Sequence, residues 1–386
     1  MRIVHFGTFS VGEGYPRNSV VARGLKQAGA EVIECRRDLW RDTGDKVRGV
    51  TSVPAAVSVA FRFIRAWAGL AWEYLLNCPP HDIVLVGYSG HLDVFLARAL
   101  ATLKGKPVAL DAFFSLYEAV IEDRKLAVPS SLRARVLRFI DRASSRAAKM
   151  VLLDTEEHIR YYREVLGAPD GRFVRVFVGG EEDSFFPRPK SIQAGRTEVL
   201  FFGSFLPLHG ADVIVKAIRA IGDNEVIHFT LIGDGPEWEN CRTLGSGVNE
   251  DRLTWERRWL SYDALAAKIA NADICLGIFG KGGKTARVIP CKVFNIMAMG
   301  RPLITADTPA AREALIHGEN AYLVPPGDPV SLVKAILMLK NDPQLAEQLA
   351  QKGLETYRQR FSTRAIGGDL FDVFRGRFGP FPDGEK

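Results

Sequence analysis

The chain has 386 residues, which is too long for one ordinary domain and suits two domains of roughly 190 residues each. Its hydrophobic content of 47% with 25% charged residues is typical of a soluble globular protein with two substantial cores and excludes a disordered chain. The net charge of +6 is mild for this length. It fits an anionic ligand or a membrane surface and establishes neither.

The cysteines indicate a reducing compartment. They are odd in number, form no CxxC pair and have no histidine spaced as a metal partner, so we expect no zinc site or other bound metal. They are Cys35, Cys78, Cys241, Cys275 and Cys291. The N-terminal MRIVHFG reads as a strand and lacks the apolar core and cleavage site of a signal peptide. We therefore expect a cytoplasmic protein.

Short apolar strands alternate with helices in the first half of the chain. Arg2 to Gly7 predicts a buried strand, SVVARGLKQAG predicts a helix that ends at Gly29, and EVIEC predicts the next strand. The same alternation continues through DIVLVG, PVALDAFF, KMVLLD and FVRVFVGG. Such runs predict a parallel sheet covered by helices on both faces.

The segment from Val53 to Leu76 is the most membrane-like part of the chain. Arg62, Arg65 and Glu73 interrupt it before it reaches the ~20 apolar residues that a membrane span requires. It predicts an amphipathic helix instead, which either packs in a domain core or lies in a membrane interface.

A helix is predicted from Ser130 to Ala147, with two distinct sides. One side is apolar and carries Leu132, Val136, Phe139, Ile140, Ala143 and Ala147. Another side is basic and carries Arg135, Arg138, Arg142 and Arg146. The arginine row is either an ordinary solvated surface or a site for anionic lipid head groups or a phosphate-bearing acceptor.

The apolar periodicity breaks at Phe186 to Arg196, where we place an interdomain linker. It then restarts with TEVLFFG, VIHFTLIG, LTWERRWL, DICLGIFG, RPLIT and AYLVP, again with helices between the strands. The sequence therefore predicts an α/β protein with two Rossmann-like, doubly wound parallel-sheet domains that face a central cleft.

Four strands of the second half are followed by glycine-bearing or aromatic loops. These loops are Gly203 to Gly210, Gly233 to Glu237, Trp259 to Tyr262 and Ile278 to Lys284. Ligands of doubly wound sheets bind at the carboxyl ends of the strands, so the four loops together predict a bound nucleotide.

The stretch from Gly280 to Gly300 changes from a glycine-rich loop to a helix at Pro290. Proline is favoured at the first helical position, and free N–H groups with the helix dipole make that end a site for anions. The loop and helix carry four cations, Lys281, Lys284, Arg287 and Lys292. The stretch is either a phosphate site or a common surface turn.

The second half also resembles a known enzyme family. GSFLPLHGADVIVKAI looks like the opening of the donor domain of family-4 glycosyltransferases of the GT-B fold, and GDGPEWENC, WLSYDALAAKIANADICL and NIMAMGRPLITADTPAAREAL agree with it. The likeness covers nearly all of Val199 to Ser362. In the first half YPRN, VALDAFFSLYE and VLLDTEEH are similar more loosely. The resemblance implies an acceptor domain at 1–188, a nucleotide-sugar donor domain at 189–362, and a helical segment at 363–386 that crosses back to the first domain.

The chain departs from that family at its two characteristic glutamates. Their positions hold Arg287 and Asn295, whereas typical members use the first glutamate on the transferred sugar and the second on the ribose. The Arg and Lys that commonly grip the diphosphate correspond to Ser204 and His209. We hypothesise that Lys292 and Arg287 bind the diphosphate here and that Asn295 contacts the ribose.

The candidate donor-binding residues follow from these loops and from the resemblance. They are Gly203, Ser204, His209, Gly210, Gly235, Leu260, Ser261, Arg287, Lys292, Asn295 and Glu313. Several of these residues could instead have a purely structural role. The glycines could be needed only for backbone conformations that other residues do not adopt, Asn295 could face solvent, and Glu313 could stabilise a helix start.

The acceptor side is less well marked. The family often has a histidine at a strand end where this chain reads VALDAFFSL, which offers Asp111 instead. His91 lies at another strand end and could face the cleft or cap a helix. The candidate catalytic residues are Asp111, His91 and Arg287, and the loop from Gly7 to Arg17 is expected to line the acceptor side.

The resemblance implies transfer of a sugar from a nucleoside-diphosphate sugar to a hydroxyl, with retention of configuration and without metal or separate cofactor. We expect a glycan or lipid-linked acceptor in cell-envelope polysaccharide synthesis, contact with the inner membrane face as one option, and no nucleic acid partner. The alternative is a catalytically silent GT-B scaffold or regulatory subunit. A nicotinamide enzyme is disfavoured because GTFSVGEG lacks the GxGxxG spacing.

Overall fold

The computed structural model describes residues 1–12, 16–39, 53–168, 171–190, 195–222 and 224–381, with side chains from residue 58 onward in the third of these ranges. Part of the predicted acceptor loop from Gly7 to Arg17, including Gly14, lies outside the described residues. So does part of the predicted linker, at 191–194.

The first sheet has six parallel strands in the order β2-β1-β3-β4-β5-β6. The strands are β1 Arg2–Gly7, β2 Glu31–Arg36, β3 Ile83–Val86, β4 Val108–Phe113, β5 Met150–Leu153 and β6 Phe173–Arg175. The helices between them are α1 Pro16–Gln27, α2 Val53–Trp72, α3 Asp93–Leu103, α4 Leu132–Ala147 and α5 Glu156–Glu164. The strands are short continuous apolar runs because helices cover both faces of the sheet.

The second sheet has six parallel strands in the order β12-β11-β10-β7-β8-β9. The strands are β7 Thr197–Phe202, β8 Ile227–Ile232, β9 Leu253–Glu256, β10 Ile274–Leu276, β11 Leu303–Ala306 and β12 Tyr322–Val324. The helices are α6 Ala211–Ala220, α7 Trp238–Leu244, α8 Tyr262–Asn271, α9 Gly283–Arg287, α10 Cys291–Ala298, α11 Pro329–Asn341 and α12 Pro343–Thr356. The structure confirms the prediction of two parallel sheets.

The last helix, α13 Thr363–Phe378, packs on the first sheet. Its Ile366, Leu370 and Phe374 share a core with Val20 and Leu25 of α1. Gly24 and Gly367 let the two helices touch backbone to backbone, since a Cβ built on Gly367 would lie 2.3 Å from the Gly24 Cα.

The structure refines the predicted loop and helix around Pro290. A short helix, α9, already forms inside the glycine-rich loop. Pro290 has an extended backbone with ψ 152° and stands just before α10, so Cys291 is the first helical residue. Three of the four basic residues of this stretch, Lys284, Arg287 and Lys292, therefore lie on helices, whereas Lys281 stays in the loop. Among the helices that the structure describes, none is long and apolar enough to span a bilayer.

Candidate functional site

The second sheet reverses its strand order between β7 and β10. From β7 the chain proceeds outward through β8 and β9, and from β10 it proceeds the other way through β11 and β12. Two loops leave this reversal point, one after β7 and one after β10. In doubly wound sheets a crevice for ligands opens at such a point, so these two loops define the candidate donor site.

Three glycines let the loops at this point pack against one another. A Cβ on Gly233, where φ is +131°, would lie 1.8 Å from the Gly203 oxygen, and one on Gly235 would lie 1.8 Å from the Ser204 oxygen. Gly210, at φ +61°, would clash at 2.5 Å with the Gly280 nitrogen. These glycines are therefore required for close backbone approach, whatever else they contact.

The side chains of Lys292 and His209 lie close together at the carboxyl end of β7. Lys292 lies in the first turn of α10 and is 6% exposed, and His209 ends the turn Pro207–His209 and is 7% exposed. A Cβ built on Gly203 would lie 2.6 Å from Lys292 Nζ and 2.9 Å from His209 Nδ1. Three residues predicted from sequence thus meet at one point.

Neither polar atom is satisfied by the protein. Within the described part of the chain, no hydrogen-bond partner reaches Lys292 Nζ or His209 Nδ1. Lys292 Nζ lies 4.0 Å from the centre of the Phe201 ring. Burial lowers the pKa of Lys292 well below its ordinary value, and burial together with the nearby Lys292 charge lowers the pKa of His209 in the same way. A bound anion would supply the counter-charge that this site lacks.

Asn295 lies one turn after Lys292 on the buried side of α10. The alternative that it faces solvent is wrong, because the residue is buried. Its Oδ1 lies 3.1 Å from the position that a Cβ on Gly180 would take, in the segment that joins the two sheets. Asn295 therefore sits where the second domain meets the connecting chain.

Arg287 is held by carboxylates of the first domain. Its Nε donates to Glu118 Oε1 at 2.5 Å and its NH2 group donates to Glu122 Oε2 at 2.6 Å. Lys284 Nζ lies 3.1 Å from Asp123 Oδ2. All three carboxylates belong to or border the π-helical turn Glu118–Asp123 that follows β4. We name this set of ion pairs the interdomain latch.

The latch is an unexpected use of Arg287. Sequence reasoning placed the guanidinium on the donor diphosphate, whereas two of its nitrogens are occupied by carboxylates in this structure. The ring of Tyr161 lies under it, 4.3 Å from the guanidinium carbon. Diphosphate binding by Arg287 stays a prediction, and in this conformation it would require the latch to open.

His158 continues the latch into the first domain. It is fully buried between Asp154, which contacts Nδ1, and Glu118, which contacts Nε2 at 2.9 Å. Burial by itself lowers the pKa of His158, but the two carboxylates outweigh it and raise the pKa to about 10. Burial also raises the pKa of Glu118, and His158 with Arg287 overcomes that effect and holds it at about 2. The cluster is therefore charged at neutral pH.

We expect this histidine to make stability fall on the alkaline side. Its folded pKa of about 10 lies above the ordinary 6.5, so its stabilisation is complete below pH 6.5 and is lost as the pH rises toward 10. Melting temperatures measured across that range should drop for the wild-type protein. The same series for His158→Gln should start lower and be flatter; parallel curves for the two proteins would contradict the assignment.

Glu313 also joins the two domains. Its carboxylate accepts from the backbone nitrogens of Glu156 at 2.9 Å and Glu157 at 3.2 Å, in the first turn of α5, and pairs with Arg175 at 3.2 Å. It therefore stabilises a helix start, as one alternative held, but the helix belongs to the other domain. Thr155, which caps α5, donates to the Arg287 carbonyl at 2.5 Å.

Asp111 is part of a buried ion pair. Arg17 grips it with two parallel hydrogen bonds, Nε to Oδ2 at 2.7 Å and NH2 to Oδ1 at 3.0 Å. Arg17 also donates to the Phe177 carbonyl at 2.9 Å. Burial raises the pKa of Asp111, and Arg17 opposes that shift. Each carboxylate oxygen of Asp111 therefore accepts a hydrogen bond from Arg17.

His91 is buried beneath the end of β3. Its Nε2 lies 3.1 Å from the Phe114 carbonyl and 3.4 Å from the Tyr162 hydroxyl. Burial lowers its pKa to about 4, so the ring is neutral at pH 7. Its Nδ1 has no partner within the described residues. His91 caps no helix, since α3 begins at Asp93 after Leu92 without a side-chain cap.

The remaining candidates lie at the rim. Ser204 is partly exposed beside Gly203, Leu260 packs against the core of the second domain, and Ser261 caps α8 by accepting from the Ala264 nitrogen at 3.4 Å. Ser261 thus has a structural role already. No group of three or more potential metal ligands occurs in the part of the chain that the structure describes.

Sequence reasoning missed Arg17, Glu118 and His158 as a set. Each lies in one of the three first-half motifs that carried the looser resemblance, YPRN, VALDAFFSLYE and VLLDTEEH. The structure brings these motifs together at the face that meets the second domain. The charged residues in these three motifs were the sequence feature that could have identified Arg17, Glu118 and His158.

Comparison with known proteins agrees with this architecture. The family of glycosyl transferases group 1 matches residues 196–342. The lipopolysaccharide core biosynthesis glycosyltransferase LpsD of Rhizobium meliloti is 29% identical over 46% of this chain and 48% of its own length. The phosphatidyl-myo-inositol mannosyltransferase of Mycobacterium leprae is 27% identical over 56% of each chain. The match spans about half the length of these relatives.

A solved structure extends the likeness to both domains. Anabaena HepE in complex with UDP superposes with a TM-score of 0.67 at 14% identity, over 97% of this chain and 100% of that one. At this identity the match establishes the fold, which is the two-domain GT-B fold of glycosyltransferases.

Proposed function

We propose that the protein is a glycosyltransferase, because residues 196–342 match the glycosyl transferases group 1 family and the chain has the GT-B fold. It moves a sugar from a nucleoside-diphosphate sugar to a hydroxyl of an acceptor. The donor is a substrate, and the proposal includes no separate cofactor.

The buried Lys292 amino group, which has no hydrogen-bond partner within the described residues, carries this proposal. A buried cation without a partner is costly, and proteins keep such groups where a ligand completes them. Here the cation lies at the strand-order reversal, in the first turn of a helix whose N–H groups favour anions. A diphosphate would satisfy Lys292 Nζ and His209 together.

This reaction requires positively charged groups beside the leaving diphosphate. Negative charge grows on the departing diphosphate in the transition state, and preorganised donors in a buried site stabilise it. Lys292, His209 and the first-turn amides of α10 would supply that stabilisation without a metal. Asn295 would contact the ribose as a neutral partner. Retention of configuration is part of the proposal and rests on the resemblance to the family.

A lipid-linked or glycan acceptor fits best. This proposal is supported by the names of two matched relatives, a lipopolysaccharide core biosynthesis glycosyltransferase and a phosphatidyl-myo-inositol mannosyltransferase. The five free cysteines suit a reducing compartment. We therefore place the enzyme on the cytoplasmic side of the inner membrane, in cell-envelope polysaccharide synthesis.

Replacing Lys292 by methionine should weaken nucleotide binding at least about tenfold, because a charge-assisted hydrogen bond contributes about 1.5–3 kcal/mol. Calorimetric titration with UDP, GDP and dTDP would measure this and identify the base. Lys334→Met, on the exposed side of α11, is the matched control and should bind as the wild type does. Equal affinity of the Lys292→Met protein would refute the assignment.

A second candidate function is a catalytically silent scaffold. It is favoured by the latch, in which Glu118 and Glu122 pair with Arg287, at a position where the resemblance described above implies a glutamate in typical family members. Hydrolysis and transfer assays with a panel of nucleotide sugars separate the two functions. Turnover establishes the enzyme, whereas tight nucleotide binding without turnover toward any donor or acceptor points to the scaffold.

A further inference from the structure

Exposed apolar side chains are concentrated on one part of the first domain. Of the 21 large hydrophobic side chains that are exposed in the described structure, 13 lie between Phe61 and Phe139. They include Phe61, Ile64, Trp72, Leu103, Leu126, Val128, Leu132, Val136 and Phe139. Scattered exposed hydrophobics are ordinary, but a concentration of this kind marks an interaction surface.

In helix α4 the exposed side chains include large apolar ones, while the buried ones are mostly small or polar. Large side chains on the apolar side of the helix face outward, away from the sheet: Leu132 is 75% exposed and Phe139 is 70% exposed. The fully buried residues on the side that packs on the sheet are small or polar, namely Ala134, Asp141, Ser144 and Ser145. The partly buried Leu137 packs against the same core. Leu132 and Phe139, on the side that the sequence analysis identified as apolar, are therefore not packed on the sheet. Such a helix presents both its apolar and its arginine residues to the surroundings.

Three helices share this outward surface. Side chains of α2, α3 and α4 contribute to one core on the same face of the first sheet, with α3 packed against both others. α1 and α13 cover the opposite face. The outer surfaces of α2, α3 and α4, with the preceding loop residues Leu126 and Val128, form what we name the arginine–apolar face.

The charge of this face has a single sign. The three helices contain eight arginines, Arg62, Arg65, Arg98, Arg133, Arg135, Arg138, Arg142 and Arg146. Their only carboxylates are Asp93 and Asp141, and both are buried. Asp93 accepts from Thr8 and Trp67, and Asp141 accepts from Ser115 and two backbone nitrogens. Within these helices, as far as described, both carboxylates therefore have internal partners, and every exposed charged side chain is an arginine.

Apolar and basic side chains that alternate on a helical surface match the boundary of an anionic bilayer. Apolar side chains enter the acyl region while arginines meet the lipid phosphates. A nucleic acid would use the arginines but leave Leu132 and Phe139 in water. We propose that the arginine–apolar face docks the protein on an anionic lipid surface.

The face also lies at the acceptor end of the domain. β4 runs to the latch turn Glu118–Asp123, and the chain then passes Leu126 and Val128 into the start of α4. Since strands of a parallel sheet end at the same edge, the start of α4 lies at the edge that meets the second domain. Docking there would hold the interdomain site beside the lipid, where a lipid-linked acceptor would be presented. This last step rests on the proposed function; the docking itself does not.

Vesicle sedimentation tests the docking with the full chain. Wild-type protein should bind phosphatidylcholine vesicles with about 30% phosphatidylglycerol at least about tenfold more tightly than pure phosphatidylcholine vesicles, and about 0.5 M salt should weaken that binding. The variants Leu132→Ser/Phe139→Ser and Arg133→Gln/Arg135→Gln should each lose about tenfold or more. All four side chains are exposed, so the fold should persist.

The control is Val330→Ser/Met338→Ser, which removes two exposed apolar side chains of α11 in the second domain. It should bind vesicles as the wild type does. Equal binding to neutral and anionic vesicles, equal loss in the control, or displacement of the protein from vesicles by duplex DNA would overturn the proposal. Nucleotide affinity measured without vesicles should be the same in all of these proteins, so a failure of donor binding is separable from a failure of docking.

Discussion

Replacing Arg17 by methionine is expected to cost about 3–5 kcal/mol of stability, because it leaves the Asp111 carboxylate buried without its partner. Both side chains are 1% exposed, and the pair is bidentate. For a domain of this size the melting temperature should fall by roughly 10 °C. Thermal unfolding followed by circular dichroism measures the change.

The chain offers a matched control on its surface. Arg2 pairs with Glu31 at the same 2.7 Å, but both side chains are more than half exposed. Arg2→Met should therefore change stability by no more than about 0.5 kcal/mol. The double variant Arg17→Met/Asp111→Leu, which removes both buried charges, should recover much of the loss. If Arg17→Met melts like Arg2→Met, the pair is not an essential part of the fold.

The second large effect concerns the latch. Arg287→Met should release the π-helical turn of the first domain, because Glu118 is buried and loses its partner from the second domain. We expect the two domains to separate, which raises the radius of gyration in X-ray scattering. Sugar transfer should fall at least about tenfold, since the assembled site depends on domain closure.

Glu118→Gln distinguishes the latch from a phosphate contact. If Arg287 acts through the latch, both substitutions open the domains, and nucleotide affinity changes far less than in Lys292→Met. If Arg287 instead binds the diphosphate, only Arg287→Met loses affinity. Arg312→Met, which breaks an exposed pair with Asp307 inside the second domain, should leave scattering and affinity unchanged. Unchanged scattering in both latch variants would contradict the latch.

The fold could be predicted from the sequence because local sequence patterns indicate its strands and helices. β1 runs from Arg2 to Gly7 as predicted, since a buried parallel strand is a continuous apolar run. The β7 loop and Lys292 were also predictable, because glycine-rich strand ends and helix starts have recognisable composition. These features depend on residues close together in the chain.

The latch and the outward turn of α4 depend on distant neighbours. Arg287 and Glu118 are 169 residues apart, and no local pattern relates them. The fully buried residues of α4 are Ala134, Asp141, Ser144 and Ser145, which hydrophobic periodicity would not select as the packed side. Hydrophobic periodicity assumes that the most apolar side is buried, and it fails where another surface needs those side chains.

The contact between α1 and α13 also constrains how the protein is made. The first domain fills the core on one face of its sheet with Ile366, Leu370 and Phe374, which follow the second domain in the chain and therefore leave the ribosome after it. During synthesis that face must stay uncovered while the whole second domain emerges and folds. The first domain therefore starts to fold before the second domain and is completed after it, and a chain shortened before Thr363 should expose the apolar surface of α1 and aggregate.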